Sequence, residues 1–213
     1  AKSLDGSHGA PLVEAPVPAL PRRLLSTHPR PTGTGFDKAR KYRWVPLLQV
    51  LGPQGVAGTA ATLMVHAPGS FGGGRWASFT AAEPEWYARS DVQRYVVALV
   101  RRMLKPSIIF EAGCRHYGLF PDEKPAFGVR LGVSNPAGLA ARVEVRQPGA
   151  PNPVFARRIM LKADRGGAVG TTRWMPAALK ARRYVVTVTL TENGKPVDRV
   201  QHELTVRHPG SGP

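Results

Sequence analysis

The chain has 213 residues, 42% of them hydrophobic, with 30 Lys and Arg against 14 Asp and Glu, a formal charge of +16. That apolar content is enough for a core and excludes a wholly disordered tail, while the charge is self-repelling unless a polyanion neutralises it. Nucleic acid ranks ahead of an anionic membrane surface as that polyanion, because the cations are scattered rather than gathered on one amphipathic face.

The single cysteine, Cys114, excludes an intrachain disulfide and a cysteine-built zinc cage, and it favours a reducing compartment. No run approaches the roughly 18 apolar residues of a bilayer-spanning helix, so no transmembrane segment is expected. The first residue is Ala1 rather than Met, the pattern left by a removed presequence or by a segment lying upstream.

Residues 1–37 carry Pro11, Pro16, Pro18, Pro21, Pro29 and Pro31 and no sustained period. Each proline removes a donor and restrains its predecessor, so an extended arm is expected, with Arg22, Arg23 and Arg30 set to run along a polyanion. Residues 38–122 are expected to form a small antiparallel β unit plus one helix, the RNA-binding part. Lys38, Arg40, Lys41 and Arg43 make a basic run just before Trp44. From there the chain reads as a short apolar strand, a turn spaced by Gly52, Gly55 and Gly58, and a second apolar strand. A glycine-rich loop of Gly72, Gly73 and Gly74 follows, closed by Arg75 and Trp76. Ser90 is placed to cap a helix over 91–104, in which Val92, Tyr95, Val96, Leu99, Val100 and Met103 recur at helical spacing. Arg94, Arg101 and Arg102 occupy its other face, and Pro106 stops it.

Residues 107–110 read as a short strand or buried turn, 113–118 as a loop, and 122–125 as the linker between domains. From Ala126 the period changes to 2. Strands are expected over 126–133, 141–145, 154–161, 184–190 and 197–206, making either a sandwich or a sheet with one short helical segment near 176–180. Tyr184, Val186, Val188 and Leu190 share one face, and Asn193 with Gly194 readily adopts the positive φ angles of a type I′ turn. Residues 123–208 thus make an antiparallel, sandwich-like β domain, and 209–213 a tail. The fold class is α+β: a small β unit, one amphipathic helix and the β domain.

Catalytic groupings are sparse. Cys114 and His116 lie two apart in an arginine-containing loop, an incidental pairing rather than a nucleophile and base. The six histidines show no metal-ligand spacing. Ser70 lacks the glycine two residues before it that a nucleophile elbow needs, and the triple glycine has no following Lys and Ser/Thr to make a nucleotide loop. Glycines without Cβ atoms let a backbone approach phosphates closely. Basic residues interleave with aromatics at Lys41, Tyr42, Arg43 and Trp44, and at Arg75 and Trp76, the pairing that neutralises phosphates while stacking on bases. The sequence therefore reads as a non-enzyme without cofactor or small-molecule substrate. Its expected RNA-binding residues are Lys38, Arg40, Lys41, Arg43, Trp44, Gly55, Gly58, Gly72, Gly73, Gly74, Arg75, Trp76, Arg101 and Arg102.

The stretch 44–79 resembles the amino-terminal domain of the bacterial-type large-subunit ribosomal protein nine family in its mitochondrial form. Val45, Leu47 and Leu48 match that domain's first strand, Gly55 and Gly58 its turn glycines, and Leu63 with Val65 its second strand. Gly69, Phe71 and Arg75 fall near the loop's glycine, aromatic and arginine. Allowing an insertion, about forty residues are covered. The resemblance implies a three-stranded sheet docked on ribosomal RNA beside neighbouring ribosomal proteins, in the mitochondrial matrix. The alternative is a periplasmic or secreted β-sandwich interaction module, an accessory subunit of an envelope complex.

Overall fold

The structure, a computed structural model, describes residues 13–25, 34–53, 55–133 and 135–207. The described residues hold twelve strands in three sheets and two α-helices. This corrects the α+β expectation: the chain is mostly β, with more sheets and one more helix than the sequence pattern indicated. Two compact units divide it. Residues 13–25 and Lys41–Pro106 belong to the first, and Thr34–Arg40 with residues 107–207 to the second. The break falls at Pro106, ahead of the 122–125 turn, and residues 34–40 pack with the second unit.

The first unit is built on the antiparallel sheet β1(Tyr42–Gly52), β2(Gly55–His66) and β3(Arg75–Phe79). Gly52 pairs with Gly55 across a two-residue loop, so Gly55 and Gly58 lie within β2 rather than in an open turn. Arg75 and Trp76 are the start of a third strand. Two helices follow, α1(Pro84–Ala88) and α2(Ser90–Leu104). Arg89 occupies the N-cap position of α2 without a side-chain cap, and its guanidinium pairs with Asp91 at 2.7 Å. Val92, Tyr95 and Leu99 are buried as their spacing requires.

Within the proline-rich segment, residues 13–25 are extended but also docked. Leu24 bridges Ala81, the Trp86 indole N–H donates to the Ala19 carbonyl at 2.8 Å, and Val13 is buried. Such a segment reads from sequence as a free arm because its prolines hide the few donors that anchor it. Residues 1–12 and 26–33 of the arm, and the tail 208–213, lie outside the described residues.

The second unit is a sandwich. One sheet has the order β4(Ile109–Cys114), β6(Ala126–Leu131), β10(Gly167–Arg173), β9(Lys162–Asp164). The other runs β5(Gly118–Leu119), β12(Lys195–Val206), β11(Arg183–Glu192), β7(Leu139–Arg146), β8(Phe155–Ile159). Val129, Leu131, Val143, Val145, Val186, Val188 and Leu190 interdigitate between them, all fully buried. The β11–β12 hairpin closes as its sequence indicates, with Glu192 opposite Lys195 and positive φ at Asn193 and Gly194. Residues 176–180 form no helix. Leu179 is buried with its N–H on the Pro121 carbonyl, and the Tyr184 hydroxyl accepts from the N–H groups of Lys180 and Ala181.

Strand β4 lies at a sheet edge, and side chains from the opposite sheet take two of its donors. The Ile109 N–H donates to Asp198 Oδ2 at 2.8 Å and the Cys114 N–H to His202 Nε2 at 2.9 Å. Accepting that bond requires His202 to be neutral at Nε2, with Nδ1 facing the Glu203 carbonyl at 2.9 Å. Burial, reinforced by Lys38 and Arg40, holds the imidazole below its ordinary value of 6.5. The unfolded chain takes up this proton near 6.5 and the folded chain resists it, so the stability His202 contributes is full above that pH and lost as the pH falls below it. The urea midpoint should therefore drop further between pH 7.5 and 5.5 in the native protein than in His202→Gln, and parallel curves would contradict this.

Candidate nucleic-acid interface

In an antiparallel ladder, residues directly opposite one another share a face. Applied to the first unit, one face carries Arg43, Val65 and Arg75, then Val45, Leu63 and Ala77. The helices pack on this side: Phe79 lies 6.2 Å from the Trp86 ring, and the Arg75 guanidinium donates to the Met103 and Lys105 carbonyls at the end of α2. A cation on the last carbonyls of a helix completes their unmade bonds and suits the helix dipole. Burial lowers the pKa of Arg75 from its ordinary value, as expected of a guanidinium drawn partly out of water. Arg75 thus closes a helix instead of awaiting a phosphate. Arg75→Ala should lower the stability of the chain by about 1.5–3 kcal/mol in urea unfolding, the worth of hydrogen bonds to a charged group.

The other face carries Tyr42 opposite His66, and Trp44, Met64 and Trp76 in one row. The loop before β3 adds Phe71. Tyr42 and Trp44 are two apart on β1, so the pleat turns both rings to the same side. Their centroids are 6.3 Å apart. His66 lies 6.3 Å from Tyr42, 4.8 Å from Phe71 and 5.2 Å from Trp76, and Phe71 meets Trp76 edge-on at 5.5 Å. The cluster is open to solvent: Tyr42 is 45%, Trp76 55% and Phe71 72% exposed. His66 is buried at its centre.

The loop that carries Phe71 explains the glycines. Gly72 and Gly73 have φ of 63° and 71°, and even Phe71 is held at 46°. Ser70, Gly73 and Gly74 donate their N–H groups to Ala67, Ser70 and Phe71. Those three donors are used inside the turn, so the amides of Gly73 and Gly74 are already committed within it. The glycines instead supply backbone angles that lift Phe71 onto the sheet face.

The expected cations fare unevenly. Arg43 and Arg102 are buried in the fold, and neither presents a guanidinium to a polyanion. Arg102 sits on the same side of α2 as Val92, Tyr95 and Leu99, which corrects its assignment to the polar face. Lys38 and Arg40 belong to the second unit. There Lys38 lies 4.4 Å over the Tyr117 ring with its ammonium on the Arg115 carbonyl, and Arg40 donates to the Tyr117 hydroxyl. Lys41, beside Tyr42, is exposed, and Arg101 is exposed on α2. Gly55 and Gly58 are ladder residues. Of the expected set, the structure brings Trp44, Trp76 and Lys41 into one neighbourhood. His66 and Phe71 are additions, and the signal for His66 was its spacing two after Met64 in a strand facing Trp44.

No group of three or more His, Cys, Asp or Glu able to hold a metal occurs among the described residues. Cys114 is buried, burial raises its thiol pKa, and His116, two residues on, is exposed in a loop. No helix among the described residues is long and apolar enough to cross a membrane.

No family model matches the chain, and no curated protein matches it. Among solved structures the chain is similar to a Pseudomonas fluorescens alkylpurine DNA glycosylase, AlkC, bound to DNA containing an abasic site analog. The identity is 18%, the match covers 58% of this chain and 38% of that one, and the TM-score is 0.33. At that score the likeness assigns neither fold nor function.

Proposed function

We propose that the protein is a non-enzymatic binding protein whose first unit holds single-stranded RNA on the aromatic face of its β1–β2–β3 sheet. The observation that carries this reading is the cluster of exposed rings Tyr42, Phe71 and Trp76, with Trp44 half-buried beside Tyr42, in a chain whose formal charge is +16. Unpaired bases stack on such rings whatever their identity, and cations elsewhere on the surface raise the local concentration of the strand. Ribosomal RNA, with an organellar ribosome as the setting, is the narrower form of the proposal and rests on the resemblance over residues 44–79.

The test is direct. Titrating the chain with a short oligouridylate should quench tryptophan fluorescence saturably, since a stacked base relaxes the excited indole, and salt should weaken the binding steeply, because releasing condensed counterions gains less as the bulk salt rises. A flat titration at low salt would overturn the reading. A second reading, an interaction module that docks a protein partner, is favoured by the exposed apolar rings of Phe71 and Trp76, and predicts that flat titration.

A further inference from the structure

The outer face of the four-stranded sheet in the second unit holds a second candidate site, built from residues that the RNA reading does not use. Arg173 lies opposite Ala126 in the β6–β10 ladder, and on the far side of Ala126 the Arg115 N–H donates to the Ala126 carbonyl at 2.8 Å. Neighbouring strands are about 4.8 Å apart, so the two arginine stems rise roughly 10 Å from each other with only a methyl group between them. One row along, Gly113, Gly128 and Thr171 are paired. Gly128 carries no side chain because Phe36 occupies that space: a Cβ there would come within 2.4 Å of the ring.

The result is a trough of about 320 Å³ with Arg115 and Arg173 as walls, Ala126 and Thr171 on its floor and Phe36 at one end. Like charges held beside each other on one sheet face repel. Arg115 is relieved by its ion pair with Asp37, whereas Arg173 has no acidic partner among the described residues. Two forked guanidiniums on either side of one gap suit an oxyanion, which can accept from both.

We propose that this trough binds a small organic anion, a carboxylate or phosphate carried by a planar ring, with the oxyanion between Arg115 and Arg173 and the ring turned toward Phe36. The proposal stands independently of the RNA reading.

Calorimetric titration of the full chain with adenosine 5′-monophosphate and with 4-hydroxybenzoate tests it, adenosine serving as the uncharged control. One anionic probe or both should bind saturably at a single site, and which of them does so identifies the phosphate or the carboxylate as the source. Adenosine should bind at least tenfold more weakly than its monophosphate. Arg173→Ala should weaken binding by roughly 10- to 100-fold, the loss of a charge-assisted pair. Ala126→Leu, which fills the trough without changing charge, should weaken it comparably. Arg142→Ala, which removes the same charge from the other sheet, should leave it unchanged. The proposal is overturned if neither probe saturates at millimolar concentration, if Arg173→Ala and Ala126→Leu both bind as the native chain does, or if Arg142→Ala weakens binding as much as Arg173→Ala.

Discussion

Replacing Trp76 with alanine is expected to weaken binding of a twelve-residue oligouridylate by roughly 5- to 150-fold, the worth of one base stacked on one aromatic ring. Trp76 is suited to that role by its place in the sheet. It is the second residue of β3, opposite Met64 on the face away from the helices, and more than half of its surface is exposed. Tyr42→Ala should act in the same direction, because Tyr42 approaches the same buried imidazole from β1. Both side chains are about half exposed, so neither change should lower the unfolding free energy by more than about 0.5 kcal/mol, as for surface substitutions away from core features. Fluorescence anisotropy of the labelled oligonucleotide reads the affinity, and urea unfolding of the same samples separates loss of binding from loss of fold.

The largest effect on stability is expected at Gly167. Its φ is +145°, and a Cβ built there would lie 1.9 Å from the Leu131 carbonyl oxygen, a backbone atom that no rotamer change can move aside. Gly167 begins β10, pairs with Asp164 and precedes Ala168, which faces Leu131 across the sheet. Gly167→Ala must therefore pull β10 away from β6 or β9 and open the core around Leu131 and Ala168. We expect a loss of more than about 3 kcal/mol, in the range of substitutions that combine backbone strain with core disruption. Gly194→Ala is the matched control. It too has a positive φ, 79°, but open space surrounds its position, and only the left-handed backbone penalty of about 1–2 kcal/mol applies. Equal losses at the two sites in urea unfolding would show that the contact with Leu131 does not govern Gly167.

These two cases mark where the sequence was legible. Alternation alone placed β11 and β12, because Tyr184, Val186, Val188 and Leu190 are buried while the residues between them are not so uniformly buried, and Asn193 with Gly194 dictates the turn. Strand β4 gave no such signal. All six of its residues are buried, including Glu111, so it shows neither period; residues 107–110 read equally as a short strand or a buried turn, and 113–118 as a loop. Two of its donors are taken by Asp198 and His202, roughly ninety positions away, and two of its carbonyls by the N–H groups of Gly35 and Phe36, which no local pattern encodes. The candidate site divides in the same way. Trp44 and Trp76 stood out as aromatics beside cations, but their shared face depends on the β1–β2–β3 register. Arg43, Arg75 and Arg102 are basic in composition and structural in place, since burial and the carbonyls ending α2 are features of the fold and not of the sequence.

The central claim, that RNA lies on the aromatic face, is tested most directly by ultraviolet crosslinking of a labelled oligouridylate to the native chain, followed by peptide mapping. The account predicts crosslinks at Tyr42, Phe71 or Trp76, diminishing as salt rises. Crosslinks confined to peptides of the second unit, such as those bearing Arg142 and Arg158, or no crosslink at all under conditions of saturating oligonucleotide, would contradict it.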